Sequence, residues 1–165
     1  MSSEGLQSVA AEEFRRACGR FASGVTVASI TDEQGAAHGL TVSSFTSVSL
    51  EPPLILICLA HSVTEIEAFR RARHFGISIL REQDREVSTG FASKGHGRFN
   101  SIAWRRGHSG VPLIDFSLAT LECETHHRMA AGDHDILIGR VIHTQVEDGA
   151  PLLHYASRYH GLAHD

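Results

Sequence analysis

The sequence predicts a mainly β domain, a barrel with a few flanking α-helices. Its 165 residues suit one domain and are too few for two full domains, and a hydrophobic content of 42% is enough for one core. Most of its apolar segments have the length and composition of strands, and only a few show helical spacing. There is no repeating βαβ pattern, so an antiparallel barrel is favoured over a doubly wound sheet.

The first predicted elements are a helix and a β-hairpin. Behind a possible N-cap at Ser8, apolar residues recur at helical spacing and predict a helix that covers part of the core. Residues Gly24–Thr31 and Ala37–Val48 are predicted as paired strands, joined by a turn that contains Gly35. The helical residues are Ala10, Phe14, Ala17, Cys18 and Phe21.

The middle of the chain predicts two strands and two helices. Pro53–Ala60 is an almost purely apolar strand, and His74–Leu80 is a second, shorter one. Ser62–Glu65 has the capping-box arrangement, which predicts a helix that ends near Ala72. A further helix is predicted over Glu82–Ala92.

The last third predicts a long loop followed by a long hairpin. The loop is the polar, glycine-rich segment SKGHGRFNSIAWRRGHSG, residues 93–110. Two long strands follow, Asp115–Arg128 and His134–Glu147, and a short turn with Gly132 and Asp133 joins them.

Composition excludes several classes of function. The formal charge of −4 and the pI near 6.3 argue against nucleic acid as a partner, which usually requires a basic face. No segment approaches the roughly 18 apolar residues of a membrane span, and none resembles a signal peptide, so a cytoplasmic protein is expected. The three cysteines are widely separated without a C-x-x-C pair, and they are interpreted as buried thiols.

Twelve histidines raise the question of a metal site. The sequence has no H-x-x-x-H or H-E-x-x-H pattern on a predicted helix, and the adjacent His126 and His127 would point to opposite faces of a strand. We therefore expect no metal site. A metal-dependent enzyme that uses His126, His134 or His143 is the alternative.

The segment His38–Ala60 is the most informative part of the chain. Its small, hydroxyl-bearing residues leave the backbone accessible, so a flat ring with polar edges would fit against it, backed by the apolar strand Pro53–Ala60. A solvated face of an ordinary antiparallel sheet is the alternative interpretation.

Two further segments suggest a nucleotide, although the chain has neither the G-x-G-x-x-G nor the P-loop pattern. In the loop Phe91–Arg98, exposed backbone N–H groups at two glycines, the Ser93 hydroxyl and the cations Lys94 and Arg98 suit phosphate. A surface loop with solvated cations is the alternative. In the turn Asp133-His134-Asp135, a carboxylate on either side would orient the imidazole, or His134 is simply a surface residue.

Taken together, these segments resemble the short-chain flavin reductase family over about Phe14–Leu162. The segments that carry the resemblance are FRRACGRFASGVTVASI, HGLTVSSFTSVSLEPPLILICL, HFGISIL, GFASKGHGRF, LECETHHRMAAGDHDILIGRV and PLLHYASRYHGL. The resemblance implies an FMN-binding split β-barrel, a homodimer, and reduction of FMN or FAD by NADH or NADPH. Reduced flavin would then pass to a partner monooxygenase.

The resemblance also implies roles for individual residues. His134 would face the nicotinamide, with Arg158 and Tyr159 nearby, and the loop of Phe91 and Arg98 would contribute to cofactor binding. Ser62, Ser93 and Lys94 would approach ribityl or phosphate oxygens. The isoalloxazine ring would be contacted by Thr41, Val42, Ser43, Ser44, Cys58, Leu59 and Ala60. The alternative functions are a flavoprotein that holds FMN tightly and acts on another substrate, and a non-catalytic flavin- or haem-binding module.

Overall fold

The computed structural model describes residues 8–95 and 97–163, which form an antiparallel β-structure with short helices around it. In the first half the elements are α1 (Ala11–Cys18), β1 (Ser23–Gly24), β2 (Thr26–Thr31), β3 (Ala37–Val42), β4 (Thr46–Leu50), β5 (Pro53–Ala60), α2 (Ile66–Arg71) and β6 (His74–Ile79). The second half contains α3 (Arg85–Ala92), β7 (Trp104–Arg106), β8 (Pro112–Ile114), β9 (Ala119–Ala131), β10 (His134–Val146), β11 (Leu153–Tyr155) and β12 (Arg158–His160). Short 3-10 helices cover Glu82–Asp84 and Arg98–Ser101.

Seven strands form the main sheet, in the order β3-β2-β6-β9-β10-β5-β4, with every neighbouring pair antiparallel. Its two edge strands, β3 and β4, are consecutive in the chain. Val42 and Thr46 are four residues apart and so at most about 14 Å apart, whereas a flat sheet of seven strands would separate its edges by about 29 Å. The sheet therefore curls into a barrel, and residues 43–45 form the seam between its edges.

The barrel encloses the main core. Ile57, Phe69, Phe75 and Ile77 belong to one buried apolar cluster inside the barrel. A second cluster lies beneath α3 and combines Val27, Phe91 and Phe99 with apolar residues of neighbouring elements. Strand β5 has the predicted bounds Pro53–Ala60, and its odd-numbered residues from Ile55 to Leu59 are buried.

Two predictions for the first half of the chain are wrong. The predicted strand Ala37–Val48 is divided at residues 43–45, because the chain crosses there from one sheet edge to the other. The predicted N-terminal helix forms as α1, but none of its residues is buried, so it does not cover the core of this chain. Phe14 on α1 is 59% exposed, and Phe21 just beyond it is 82% exposed.

The capping box predicted at Ser62 does not form. Helix α2 begins at Ile66, no side chain caps it, and residues 61–65 form turns. Glu65 is instead buried and paired with Arg98, a contact 33 residues away that a local motif does not reveal.

The predicted loop of residues 93–110 is more ordered than expected. It contains a 3-10 turn and strand β7, which pairs with β8. The expectation of three buried thiols is also wrong, because Cys18 is exposed and Cys58 is half-buried. Cys123 is buried, and burial raises the pKa of its thiol to about 12.

None of the helices within the described residues has the length and apolar composition that a bilayer crossing requires.

Candidate functional site

The seam of the barrel joins the hydroxyl-rich segment to strand β5. The Ser44 hydroxyl accepts a hydrogen bond from the Cys58 N–H at 2.8 Å and donates to the Cys58 carbonyl at 3.2 Å. Ser43, next to it, is exposed, and Ser44 is half-buried. The structure therefore brings together two segments that the sequence placed in one ring-binding site.

Strand β5 presents small side chains on its outer face. Cys58 and Ala60 are half-buried, whereas Leu59 between them is 2% exposed and points into the core. The prediction that Leu59 lines the ring is wrong for its side chain, which alternation along the strand turns inward, and it remains a prediction for its backbone. For the same reason only the backbone of Val42, 4% exposed, is available to a ligand.

His134 lies beside this face. It is the first residue of β10 and pairs in register with Ala60 of β5. Its Nδ1 is 2.7 Å from a carboxylate oxygen of Asp133, and its side chain is 42% exposed. The name flavin face is used below for three parts of the chain, namely Thr41–Ser44 at the end of β3 and in the seam, the strand end Cys58–Ala60, and His134.

The two carboxylates beside His134 have different roles, contrary to the expectation that both flank the imidazole. Asp135 is buried beneath the strand, where it accepts hydrogen bonds from Arg70 Nε at 2.7 Å and contacts His61 Nε2 at 2.8 Å. The hydrogen bond from Arg70 lowers the pKa of Asp135 to about 2, although burial alone would raise it. Sequence reasoning missed this network, since Arg70 and Asp135 are 65 residues apart in the chain.

Helix α3 and the C-terminal hairpin are attached to the flavin face by hydrogen bonds. The Thr41 hydroxyl donates to the Ser88 carbonyl at 2.6 Å, and the Ser88 and Tyr159 hydroxyls are 2.8 Å apart. The guanidinium of Arg85 lies over the Tyr159 ring, 5.4 Å from its centroid. Arg158, on the same strand as Tyr159, is exposed.

The loop after α3 differs from its predicted form. Arg98 donates to Glu65 at 2.9 Å, to the Gly39 carbonyl at 2.6 Å and to the Ser93 carbonyl. Its guanidinium is therefore engaged within the protein, and the prediction that it contacts the cofactor directly is wrong. Ser93 and Lys94 are exposed, and so is Ser62 in the turn after β5. His96, part of the predicted loop, lies outside the described residues.

Phe91 and Gly39 take part in core packing and not in the candidate site. Phe91 was predicted to contribute to cofactor binding. Its ring is not available to a cofactor, because Phe91 is 2% exposed. Gly39 is buried, and a Cβ there would be 2.9 Å from the ring of Phe91 and 3.0 Å from that of Phe99. The bare backbone at Gly39 accommodates these rings and does not accommodate a ligand.

The seam has donors suited to a polar-edged ring. Among the described residues, none accepts a hydrogen bond from the backbone N–H of Ser43 or Ser44. Backbone N–H groups are obligatory donors, so this pair is open to solvent or to a ligand. Together with the small outer face of β5, the free N–H groups fit the flavin that the resemblance implies.

Comparison with known proteins agrees with this geometry. The family model described as "Flavin reductase like domain" matches residues 18–163. The chain belongs to this flavin reductase-like family. A solved structure of Streptomyces globisporus NADH:FAD oxidoreductase, in complex with NAD and FAD fragments, is 33% identical, with a TM-score of 0.89 and 93% of each chain covered. The predicted fold, a flavin reductase split barrel, is confirmed.

Relatives in the family differ in length. A Rhodococcus opacus protein, the reductase component of 4-nitrophenol 4-monooxygenase/4-nitrocatechol 2-monooxygenase, is 35% identical over 93% of this chain and 82% of its own length. A Rhizobium meliloti protein, named probable flavin reductase, is 45% identical over 77% of this chain. The match spans only 41% of that longer relative.

Proposed function

We propose that this chain is an NAD(P)H:flavin oxidoreductase that transfers a hydride from NADH or NADPH to FMN or FAD. The observation that carries the proposal is the pair of N–H groups at Ser43 and Ser44, which have no acceptor within residues 8–95 and 97–163 and lie beside the small outer face of β5 and His134. Membership of the flavin reductase-like family supports it. We further propose that residues 1–165 form one domain with its core at about 14–162.

The chemistry of the reaction belongs to the flavin, which accepts the hydride, and the chain supplies binding and orientation. The N–H groups of Ser43 and Ser44 would donate to the polar edge of the ring, where they stabilise the negative charge that reduction produces. Cys58 and Ala60 would lie against the ring, since their small side chains allow close approach. Thr41 holds the seam against α3 through Ser88.

The remaining polar residues would hold the ends of the two nucleotides. Ser62, Ser93 and Lys94 are exposed and would bind ribityl and phosphate oxygens. His134 would orient the nicotinamide, with Asp133 fixing its ring at 2.7 Å. Tyr159 and Arg158 would be weaker contacts on the same side. A hydride transfer needs no protein nucleophile, so His134 is assigned binding and orientation.

Reduced flavin would be delivered to a monooxygenase, as the name of the Rhodococcus opacus relative indicates for that protein. We also propose that the chain forms a homodimer in the cytoplasm. The exposed apolar side chains Phe14, Phe21 and Leu50 support an interface, since Leu50 alone is 96% exposed. Sedimentation analysis of the purified protein tests the dimer, and a monomer at micromolar concentration would reject it.

The decisive experiment measures steady-state oxidation of NADH and NADPH with FMN and FAD supplied separately. A flavin reductase consumes nicotinamide only when free flavin is added. Consumption without added flavin, together with a flavin spectrum that persists through gel filtration, would indicate a tightly held FMN instead. The absence of turnover with every combination would leave a binding module and contradict the proposal.

A pair of histidine variants tests the nicotinamide side. His134→Ala is expected to raise the KM for NADH or NADPH several-fold and to change flavin affinity much less. His127→Ala is the matched control, because His127 is exposed on the adjacent strand β9. Unchanged nicotinamide kinetics in His134→Ala would remove His134 from the site while leaving the flavin reductase assignment intact.

A further inference from the structure

Three side chains with metal-binding atoms converge at the end of β10 that is remote from His134. Ligand atoms of His108, Glu122 and His143 all lie within 4.8 Å of one another. His143 is the register partner of Glu122 across β9 and β10, and His108 belongs to the turn between β7 and β8. The two imidazole rings meet edge to face, with their centroids 4.4 Å apart.

Two local features of the fold create this convergence. The pairing of β9 with β10 shifts register between Val141 and His143, and this irregularity places His143 directly opposite Glu122. The β7–β8 turn lies close above the same carboxylate, since a Cβ on Gly107 would be 2.5 Å from Glu122. Glycine at 107 therefore permits the approach of His108.

The position of the Glu122 carboxylate is the decisive observation. Glu122 is 1% exposed, and it accepts hydrogen bonds from the N–H groups of His108 at 3.0 Å and Ser109 at 2.7 Å. The Ser109 hydroxyl donates a further bond of 2.5 Å. These three donors hold the buried carboxylate in place beside the two imidazoles.

Within the described residues, Glu122 has no arginine or lysine partner, and the ionisable groups beside it are the imidazoles of His108 and His143. None of the ion pairs within residues 8–95 and 97–163 includes Glu122, whereas the neighbouring Glu124 pairs with both Arg73 and Arg140. Buried carboxylates in proteins are normally paired with a cation or bound to a metal. The three donors to Glu122 are neutral, so they satisfy its hydrogen bonding without cancelling its charge.

We propose that His108, Glu122 and His143 bind a divalent transition-metal ion such as Zn²⁺. Two imidazole nitrogens and one carboxylate oxygen are a ligand set that suits this class of ion. Ligand atoms around tetrahedral zinc are about 3.3 Å apart, and the exposed imidazoles of His108 and His143 are free to turn to that spacing. Water would complete the coordination, because both histidines face solvent.

The ion would join the β7–β8 turn to the β9–β10 pair, away from the flavin face. Sequence reasoning expected no metal site and considered His143 only together with His126 and His134. The spacing of His108, Glu122 and His143 along the chain matches no recognised motif, so the site depends on the tertiary fold. The proposal is independent of the proposed flavin reductase activity.

The test measures metal binding directly, on untagged full-length protein freed of metal and flavin. Titration calorimetry with Zn²⁺ is expected to show one equivalent bound, and Co²⁺ is expected to give visible absorption of a low-symmetry site. His108→Ala and His143→Ala are each expected to weaken Zn²⁺ binding roughly tenfold or more. His127→Ala, which removes an exposed histidine of β9 outside the cluster, is the matched control and is expected to bind as the parent does.

Thermal unfolding supplies a second readout that does not depend on activity. Zn²⁺ is expected to raise the Tm of the parent and of His127→Ala, and to leave His143→Ala unchanged, because only a folded site binds the ion. Absence of one-equivalent binding by the parent would overturn the proposal. Equal Zn²⁺ affinity in all three histidine variants would also overturn it, because this result would indicate binding to scattered surface histidines and not to one site.

Discussion

Glu65 and Glu122 are both buried carboxylates, 5% and 1% exposed, but they are stabilised in different ways. Glu65 is neutralised by the guanidinium of Arg98 at 2.9 Å. Glu122 is surrounded by neutral donors from the β7–β8 turn. One carboxylate is therefore paired with a guanidinium, and the other lies beside the two imidazoles of His108 and His143.

The difference has a consequence for each region. Arg98 also binds the carbonyls of Gly39 and Ser93, so the pair with Glu65 holds the loop of Ser93 and Lys94 against β3. Stability and the position of the loop that carries Ser93 and Lys94 are coupled there. At Glu122 the hydrogen bonds fix a turn, and no residue of the flavin face takes part.

The largest expected effect comes from breaking the buried ion pair. Arg98→Ala is expected to lower the free energy of unfolding by about 3 to 5 kcal/mol, because it leaves Glu65 buried and unpaired. Urea unfolding measures the change, with Arg140→Ala as control, since Arg140 forms a largely exposed pair with Glu124. Equal losses of unfolding free energy in the two variants would show that the buried pair of Glu65 and Arg98 stabilises the protein no more than the exposed pair does.

The next effect tests the turn over Glu122. Gly107→Ala is expected to lower the free energy of unfolding by about 1 to 3 kcal/mol, because the added methyl group displaces the turn from the carboxylate. Gly24→Ala is the control, since a Cβ at Gly24 has no neighbour within 4 Å. Urea unfolding compares the two, and a tolerated Gly107→Ala would mean that the turn adapts without loss.

Asp135 provides a third, pH-dependent comparison, because it is paired with a cation as Glu65 is. Its pKa falls from the ordinary 3.8 to about 2 in the fold, chiefly through the bond from Arg70. The ionised pair therefore stabilises the protein above pH 4, and this contribution disappears as the pH falls through 2. Asp135→Asn is expected to be less stable than the parent at pH 7, and the difference is expected to shrink below pH 4 in urea unfolding. A gap that stays constant with pH would contradict the assignment.

The smallest effect concerns the loop that Arg98 supports. Lys94→Ala is expected to raise the flavin dissociation constant a few-fold at low salt and less at high salt, because an exposed phosphate contact is screened. Fluorescence titration at two salt concentrations measures it. Arg71→Ala is the control, as Arg71 is exposed on α2 away from this loop. An equal salt response in both variants would remove Lys94 from the site.

Local patterns predicted most of the fold. The bounds of β5 and β10 were predicted closely, because an apolar run and turn residues act over a few positions. Strand β9 begins at Ala119 and ends at Ala131, four and three residues later than predicted. The capping box at Ser62 was wrong because Glu65 has a partner 33 residues away. The break at residues 43–45 was missed because closure of a barrel is a property of strand order and not of a local window.

The sequence predicted the location of the candidate site better than it predicted which side chains face a ligand. The structure brings together the seam, the end of β5 and His134, as the segments implied. It turns Leu59 and Phe91 into the core and engages Arg98 within the protein. Which side chain faces outward depends on packing, and so does the cluster of His108, Glu122 and His143, whose members are brought together only by the tertiary fold.

The short seam at residues 43–45 has an evolutionary consequence. The same few residues close the barrel and supply the free N–H groups of the flavin face. An insertion there would both separate the sheet edges and displace the donors. The length of the seam is therefore constrained by barrel closure and by the position of the N–H groups. Variation in ligand preference is therefore expected to arise in peripheral loops, such as the one that carries Lys94, while the seam retains its length.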